Sequence, residues 1–341
     1  MIKLEEIHIT QEMLAIITKI EAFNGAWPYM IKSRESLKTI LSAQTKLSSI
    51  ASSARIEGCQ LKDYEVEMVL GGMYSSNFKE KDVLETRGYA SVFDRIREDY
   101  EVLNLNETLI KEFHSTLVQD TSKEEYRKTE KPEQNILAGE PAIDNVSSEL
   151  APKLLHILLE DTNNALKQGY NPLLVASAFT ANFISINPFG EGNGRLARLI
   201  TTLILLKSGY NFLFYTSFEP IVEESRKSYM FALKKSQSKD EENIWFLYML
   251  RVFEKAALRL EGRMQKDEYI SKEEIFSQLS PIEKDIIRAI SNKGAIYTTD
   301  LLATLDQHKA PTIKKALKTL VEKGHIVMNG KGRGTYYEIY R

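Results

Sequence analysis

The pattern of apolar positions is helical almost from end to end. Leu14, Ile17 and Ile20, then Leu37, Ile40, Leu41, Leu47 and Ile50, recur at steps of three and four residues, the spacing that lines one face of an amphipathic helix. Similar stripes predict helices over 81–99, 106–120, 149–167, 171–186, 194–207, 220–235 and 241–265, with little of the alternation that marks strands. The expected fold class is mainly α. The longest stretch without a helical pattern is 126–146, YRKTEKPEQNILAGEPAIDNV, where Pro132, Gly139 and Pro141 break any helix and leave a loop or hairpin of functional length.

Near residue 270 the pattern changes. A helix over Pro281–Asn292, a short helix opened by Thr298, Thr299 and Asp300, a third with Pro311 in its first turn, and two short strands around NGKGRG at 329–334 make the layout of a winged helix-turn-helix over 281–341. Eight lysines and three arginines face six acidic residues in that module, whereas the whole chain has a formal charge of −2. Lys314, Lys315 and Lys318 fall on the third helix and Lys331 and Arg333 in the wing, where such modules meet phosphates and bases. Winged helices also bind proteins or dimerise, so both DNA and protein stand as partners of 281–341, and a homodimer stays open.

Composition narrows the class further. With 43% hydrophobic and 27% charged residues in 341, the chain reads as soluble, globular and large enough for two or three domains. One cysteine, Cys59, allows no internal disulfide. MIKLEEIHITQEML lacks the basic and apolar blocks of a signal peptide, and no apolar run is long enough to span a bilayer, so no membrane partner and a cytoplasmic setting are expected.

Candidate chemistry concentrates in FISINPFGEGNGRLARLI, Phe183 to Ile200. Leu196, Leu199, Ile200, Leu203 and Leu206 mark a buried helix that begins near Gly194 and stops at Gly209. Gly190, Gly192 and Gly194 at its amino end let the backbone come close to a phosphate, where the leading N–H groups and the helix dipole favour an anion. Arg195 and Arg198 add charge, and Glu191 and Asn193 offer oxygens suited to a Mg²⁺ carried by a nucleotide. A tight turn with two surface arginines is the plainer alternative. The run is neither of the usual glycine-rich phosphate motifs, G-x-x-x-x-G-K-[ST] or G-x-G-x-x-G.

Asn187-Pro188-Phe189-Gly190-Glu191-Gly192-Asn193-Gly194-Arg195-Leu196-Ala197-Arg198 resembles the signature of the Fic family, H-x-F-x-[D/E]-G-N-G-R-x-x-R, at every defined position but the first. Tyr126-Arg127, the helix carrying His114, and Glu224 to Leu233 with Tyr229 are similar to the family as well, so the resemblance covers about 1–275; His114 itself reads as a structural residue. The resemblance implies a Fic-type helical core with a short flap hairpin, binding of ATP and Mg²⁺, and transfer of AMP to a hydroxyl side chain of a target protein. The flap that docks the target would lie near 133–142. The implied domains are an N-terminal helical region over 1–85, a core over 86–270 and the module over 281–341.

A second match is SSARIEG, Ser52 to Gly58, which resembles the family's inhibitory motif, [S/T]-x-x-x-E-[G/N]. Ser53 and Glu57 are four residues apart on one face of a helix ending at Gly58. The resemblance implies that Glu57 forms a bidentate pair with Arg198 and takes the place of the ATP γ-phosphate; an ordinary surface glutamate at a helix end is the alternative. Family members with such a glutamate also remove AMP, which would give Glu57 a second role. The one departure is Asn187, where the family pattern has the histidine that accepts the proton of the target hydroxyl. Asparagine has no basic lone pair near neutral pH. A non-catalytic, nucleotide-sensing DNA-binding regulator is therefore the rival expectation.

Overall fold

The computed structural model describes residues 1–32, 34–72, 78–119, 126–130, 143–293, 295–323, 325–330 and 332–339, with the side chains of 266–278, 291, 292, 333 and 339 set aside. The expected flap near 133–142 and Lys331 lie outside the described residues. Two compact units divide the chain, Met1–Gly262 and Arg263–Arg341.

The described residues of the first unit are mainly helical: α1 (Gln11–Met30), α2 (Glu35–Ile56), α3 (Asp63–Leu70), α4 (Glu80–Asp99), α5 (Glu107–Val118), α6 (Ala151–Lys167), α7 (Pro172–Ile186), α8 (Asn193–Lys207), α9 (Glu219–Glu224), α10 (Arg226–Lys235) and the greater part of α11 (Glu242–Gln278). The single helix expected over 220–235 is broken at Ser225, whose ψ of 28° leaves the helical range. Caps explain several starts. Thr10, Asn106 and Asn171 each accept a backbone N–H in the first turn, and Pro172 opens α7 where its missing donor costs nothing.

At the centre α7 packs against α8, and both are buried on nearly every side. Burial all round goes beyond the one-sided stripe expected for 171–186, and fits the nearly continuous apolar run from Pro172 to Phe183. On the outer helices the expected faces are slightly rotated. In α1 the core side is Met13, Ile16, Ile17 and Ile20, with Leu14 exposed, and in α2 Ile40 is exposed while Leu37, Leu41 and Ile50 are buried. The N-terminal helices belong to the same body as the core, since α2 packs on α4, α8 and α9. That contact carries the end of α2 to the start of α8.

The second unit continues with α12 (Pro281–Lys293), β1 (Ala295–Tyr297), α13 (Thr298–Thr304), α14 (Ala310–Glu322), β2 (Ile326–Asn329) and β3 (Tyr336–Ile339). The strands form an antiparallel sheet of order β1-β3-β2, with Ile296 opposite Tyr337 and Met328 opposite Tyr337 on its other side. Sequence periodicity predicts only two of these strands. β1 is three residues long, too short to leave an alternating pattern.

Candidate functional site

α7 ends at Ile186, and Asn187 follows with φ 48°, a left-handed conformation that asparagine tolerates better than most side chains. Its N–H donates to the Phe183 carbonyl at 2.9 Å, and its carbonyl accepts from Arg127 Nε at 2.8 Å. The Arg127 N–H donates to the Pro188 carbonyl at 3.0 Å, and its guanidinium also donates to the Val146 carbonyl. Arg127 is buried, so this one side chain pins the entry to the glycine loop. The sequence marks Tyr126-Arg127 as a match to the family but gives the arginine no role.

The loop is built around Phe189, fully buried, which stacks on the His114 ring at 3.9 Å between centroids and on Tyr126 at 5.7 Å. His114 Nε2 bonds to the Glu191 carbonyl at 3.0 Å, so the imidazole is a buried strut of the loop. Asn193 accepts the Phe189 N–H on Oδ1 at 3.1 Å and donates from Nδ2 to the Phe189 carbonyl at 2.9 Å. Both ends of its amide are engaged, and the residue expected to offer an oxygen to Mg²⁺ here shapes the loop. Glu191 Oε2 lies 3.3 Å from Lys81 Nζ.

Both arginines of the motif are buried, Arg195 to 3% and Arg198 to 1% exposure, which rules out the surface-turn alternative. Arg195 Nη2 donates to Glu85 Oε1 at 2.8 Å, whereas its Nε and Nη1 are buried without a hydrogen-bond partner. Arg198 donates from Nε to Ser53 Oγ at 2.9 Å, from Nη2 to the Ser53 carbonyl at 3.0 Å and from Nη2 to Glu57 Oε1 at 2.8 Å. The Glu57 contact is thus a single hydrogen-bonded ion pair, not the bidentate fork expected from the sequence, because Ser53 takes the Nε edge.

Glu57 is the C-cap of α2, and Gly58 beyond it has φ 95°, a turn that suits glycine. The carboxylate reaches the first turn of α8 and occupies the space a Cβ on Gly194 would need. Burial works to raise the Glu57 carboxyl, yet the charges of Arg198 and Arg195 win and hold it below its ordinary value.

These groups surround a cavity of about 550 Å³ whose wall includes Glu57, Asn187, Glu191, Arg195, Arg198 and Tyr229. Gly190, Gly192, Asn193 and Gly194 also line it, while Ser53 stands behind Arg198. An anion fits: two buried nitrogens of Arg195, Nε and Nη1, have no hydrogen-bond partner, and a carboxylate already occupies the start of α8. Among the described residues no group of three or more His, Cys, Asp or Glu could hold a metal. Any Mg²⁺ would therefore rely on the phosphates that carry it, with Glu191 as the nearest candidate carboxylate of the motif.

Sequence reasoning missed the brace on α2. Arg55 donates to Glu223 from Nε at 2.5 Å and Nη2 at 3.1 Å, and from Nη1 to Asp63 at 2.8 Å. It also missed the buried carboxyl of Glu219, which accepts from Tyr89 Oη at 3.0 Å. Burial pushes Glu219 above the ordinary carboxylate range. Nothing in a linear pattern links positions 168 or 130 residues apart.

Residues 104–205 match the model of the Fic/DOC family. A stretch of 75 residues is 37% identical to the protein adenylyltransferase and cysteine protease IbpA of Histophilus somni, covering 20% of this chain and 2% of that one. Another of 64 residues is 38% identical to a Fido domain-containing protein of Dictyostelium discoideum, covering 16% of this chain and 45% of that protein. The chain therefore spans less than half the length of either relative. Among solved structures, a Fic family protein from Desulfovibrio desulfuricans G20 shares the fold with a TM-score of 0.62 at 22% identity, over 98% of this chain and 97% of that one. Fic-1 from C. elegans does so with a TM-score of 0.58 at 18% identity, over 73% and 72%.

Proposed function

We propose that this chain is a Fic-type protein adenylyltransferase, held back by Glu57 and slowed at its chemical step by Asn187. The observation that carries the reading is the buried arginine pair at the head of α8, with Arg195 Nε and Nη1 unpartnered and Arg198 given to Glu57. ATP, with its Mg²⁺, supplies an α-phosphorus bonded to a good leaving group, pyrophosphate. The residues of this chain do the rest. Arg195 and the first turn of α8 hold phosphate oxygens, and Arg198 holds the triphosphate end once Glu57 has left it.

In the transfer the target hydroxyl oxygen bonds to the α-phosphorus, the bond to pyrophosphate breaks, and the hydroxyl proton goes to a base. Position 187 borders the cavity, where an imidazole would accept that proton. The Asn187 amide has no such lone pair, so the proton is left to water. Removal of a general base costs about 10²–10⁴ in rate. The reaction uses ATP, and no helix among the described residues is long and apolar enough to cross a membrane; the cytoplasm is the proposed setting. The target protein would dock at the segment near 133–142, as the family resemblance implies.

Asn187 itself favours a second reading, a protein that binds nucleotide without transferring AMP. Incubation with α-labelled ATP and Mg²⁺ separates the two. Asn187→His should raise labelling of the chain itself or of added target by about 10²–10⁴. Equal labelling in both forms would sink the proposal for position 187, and no heat of ATP binding even with Glu57→Gly would sink the anion site.

A further inference from the structure

The second unit has a basic helix face that the adenylylation reading does not use. The apolar side of α14, Ile313, Ala316, Leu317 and Leu320, is buried with Ile286, Ile290, Leu301, Ile326 and Tyr337. That packing fixes which residues face out. Thr312, Lys314, Lys315 and Lys318 are exposed along α14, with Lys309 exposed just ahead of it, and Glu322 at its last turn is the one acidic residue of the helix. Lys318 is 3.7 Å from Glu322, whereas among the described residues neither Lys314 nor Lys315 has an acidic partner.

The order of elements adds geometry to charge. α13 and α14 are joined by the short segment 305–309 and backed by α12, with β2 and β3 following, so α14 is the second helix of a helix-turn-helix, the one such modules insert into the major groove. An α-helix with its side chains is about 10–12 Å across and the B-DNA major groove about 12 Å wide. Hot spots of protein–protein interfaces are enriched in Trp, Tyr and Arg. The exposed face of α14 offers lysine and threonine, and among the described residues the large exposed apolar side chains of this unit are Tyr297 and Met328, on β1 and β2.

We propose that the second unit binds duplex DNA, with α14 in the major groove and Lys309, Lys314, Lys315 and Lys318 against phosphates or base edges. The test needs no ATP, so its result is separable from that of the adenylylation assay. Fluorescence anisotropy of the full chain with a labelled mixed-sequence duplex is measured from about 50 to 200 mM salt, where phosphate contacts make affinity fall steeply. Lys314→Ala/Lys315→Ala/Lys318→Ala should weaken binding and lower the slope of log K against log salt by about 2.7, at about 0.9 for each phosphate no longer neutralised. These side chains are exposed, and an unchanged melting temperature would show the variant folded. Lys153→Ala/Lys167→Ala on α6, also exposed, should leave the slope unchanged. The proposal is overturned if the chain fails to bind duplex at the lowest salt, if the triple variant binds as the parent does, or if both variants lose slope alike. Binding of a protein but not DNA through these lysines would overturn it too.

Discussion

Glu57 and Gly194 meet at the head of α8, where the carboxylate of the first fills the space a side chain on the second would need. An anion supplied by the chain itself therefore stands at the first turn of α8, where the proposed function places phosphate, and it is tied to Arg198 at 2.8 Å. Release of that one ion pair is what the proposed activity requires.

Glu57→Gly in an Asn187→His background should raise AMP transfer about 10–100-fold, the range of a charged hydrogen bond worth about 1.5–3 kcal/mol. Adding Arg198→Ala should abolish the gain, because inhibitor and triphosphate depend on the same guanidinium and the changes are not additive. Initial rates at fixed ATP across the set decide it. The depressed Glu57 carboxyl stays charged above the ordinary carboxylate range, and the ion pair breaks only as pH falls below it. The fold-gain should accordingly be the same at about pH 6 and about pH 8.

Ser53→Ala should act on Arg198 directly. It removes the acceptor of Arg198 Nε at 2.9 Å inside the protein, so it should destabilise by about 1–3 kcal/mol. It should also raise AMP transfer in the Asn187→His background, less than Glu57→Gly does. Denaturant melts and rates on the same preparations would show whether the two effects move together.

Arg55 ties the end of α2 to α9 through Glu223. Arg55→Ala should therefore loosen the seat of Glu57 and raise AMP transfer about 2- to 5-fold, as removal of a partly exposed ion pair of about 0.5–1 kcal/mol would. Arg55→Lys keeps the charge without the fork and should fall between the two rates. An Arg55→Ala rate equal to the parent would leave the brace a purely structural feature.

Asn193→Ala should cost more in stability than an exposed substitution, since it strips both the N–H and the carbonyl of buried Phe189 of their partners. A loss of about 2–6 kcal/mol is expected, at about 1–3 for each group left unpaired. Melting curves give the first number, and titration with ATP should show weakened binding as the loop loses its shape.

Glu219 gives a pH-dependent prediction of opposite sign to Glu57. Its folded-state pKa is raised, so its contribution favours folding below the ordinary carboxylate value and declines as pH rises through that value toward the raised one. Glu219→Gln keeps an acceptor for Tyr89 and cannot ionise. The difference in melting temperature between Glu219→Gln and the parent should grow from about pH 5 to about pH 8; a constant difference would show that Glu219 does not titrate there.

Helix periodicity is enough to place most of the first unit, because an amphipathic stripe is a local property of the chain. The boundaries found for α4, α5, α6 and α7 differ from the expected ones by only a residue or two. The glycines and arginines of 190–198 are legible for the same reason: the loop is contiguous, and its residue types can be read directly from the chain. Gly192, with φ 77°, sits where the backbone needs glycine.

What only the tertiary structure decided is who meets whom. Ser53 and Glu57 reach Arg198 across 145 and 141 residues, and the packing of α2 on α8 turns a one-edge ion pair and a serine into a single cradle. Arg127 is the clamp on Asn187 because the chain returns to its own loop after 60 residues. Residue types alone make Asn193 look like a ligand, and only its two bonds to Phe189 reveal that its amide builds the loop. The sequence by itself determined the helices, the glycine-rich loop and the asparagine at 187; the fold determined which carboxylate stands at the head of α8, because a meeting of distant segments depends on how helices pack and leaves no period in the chain.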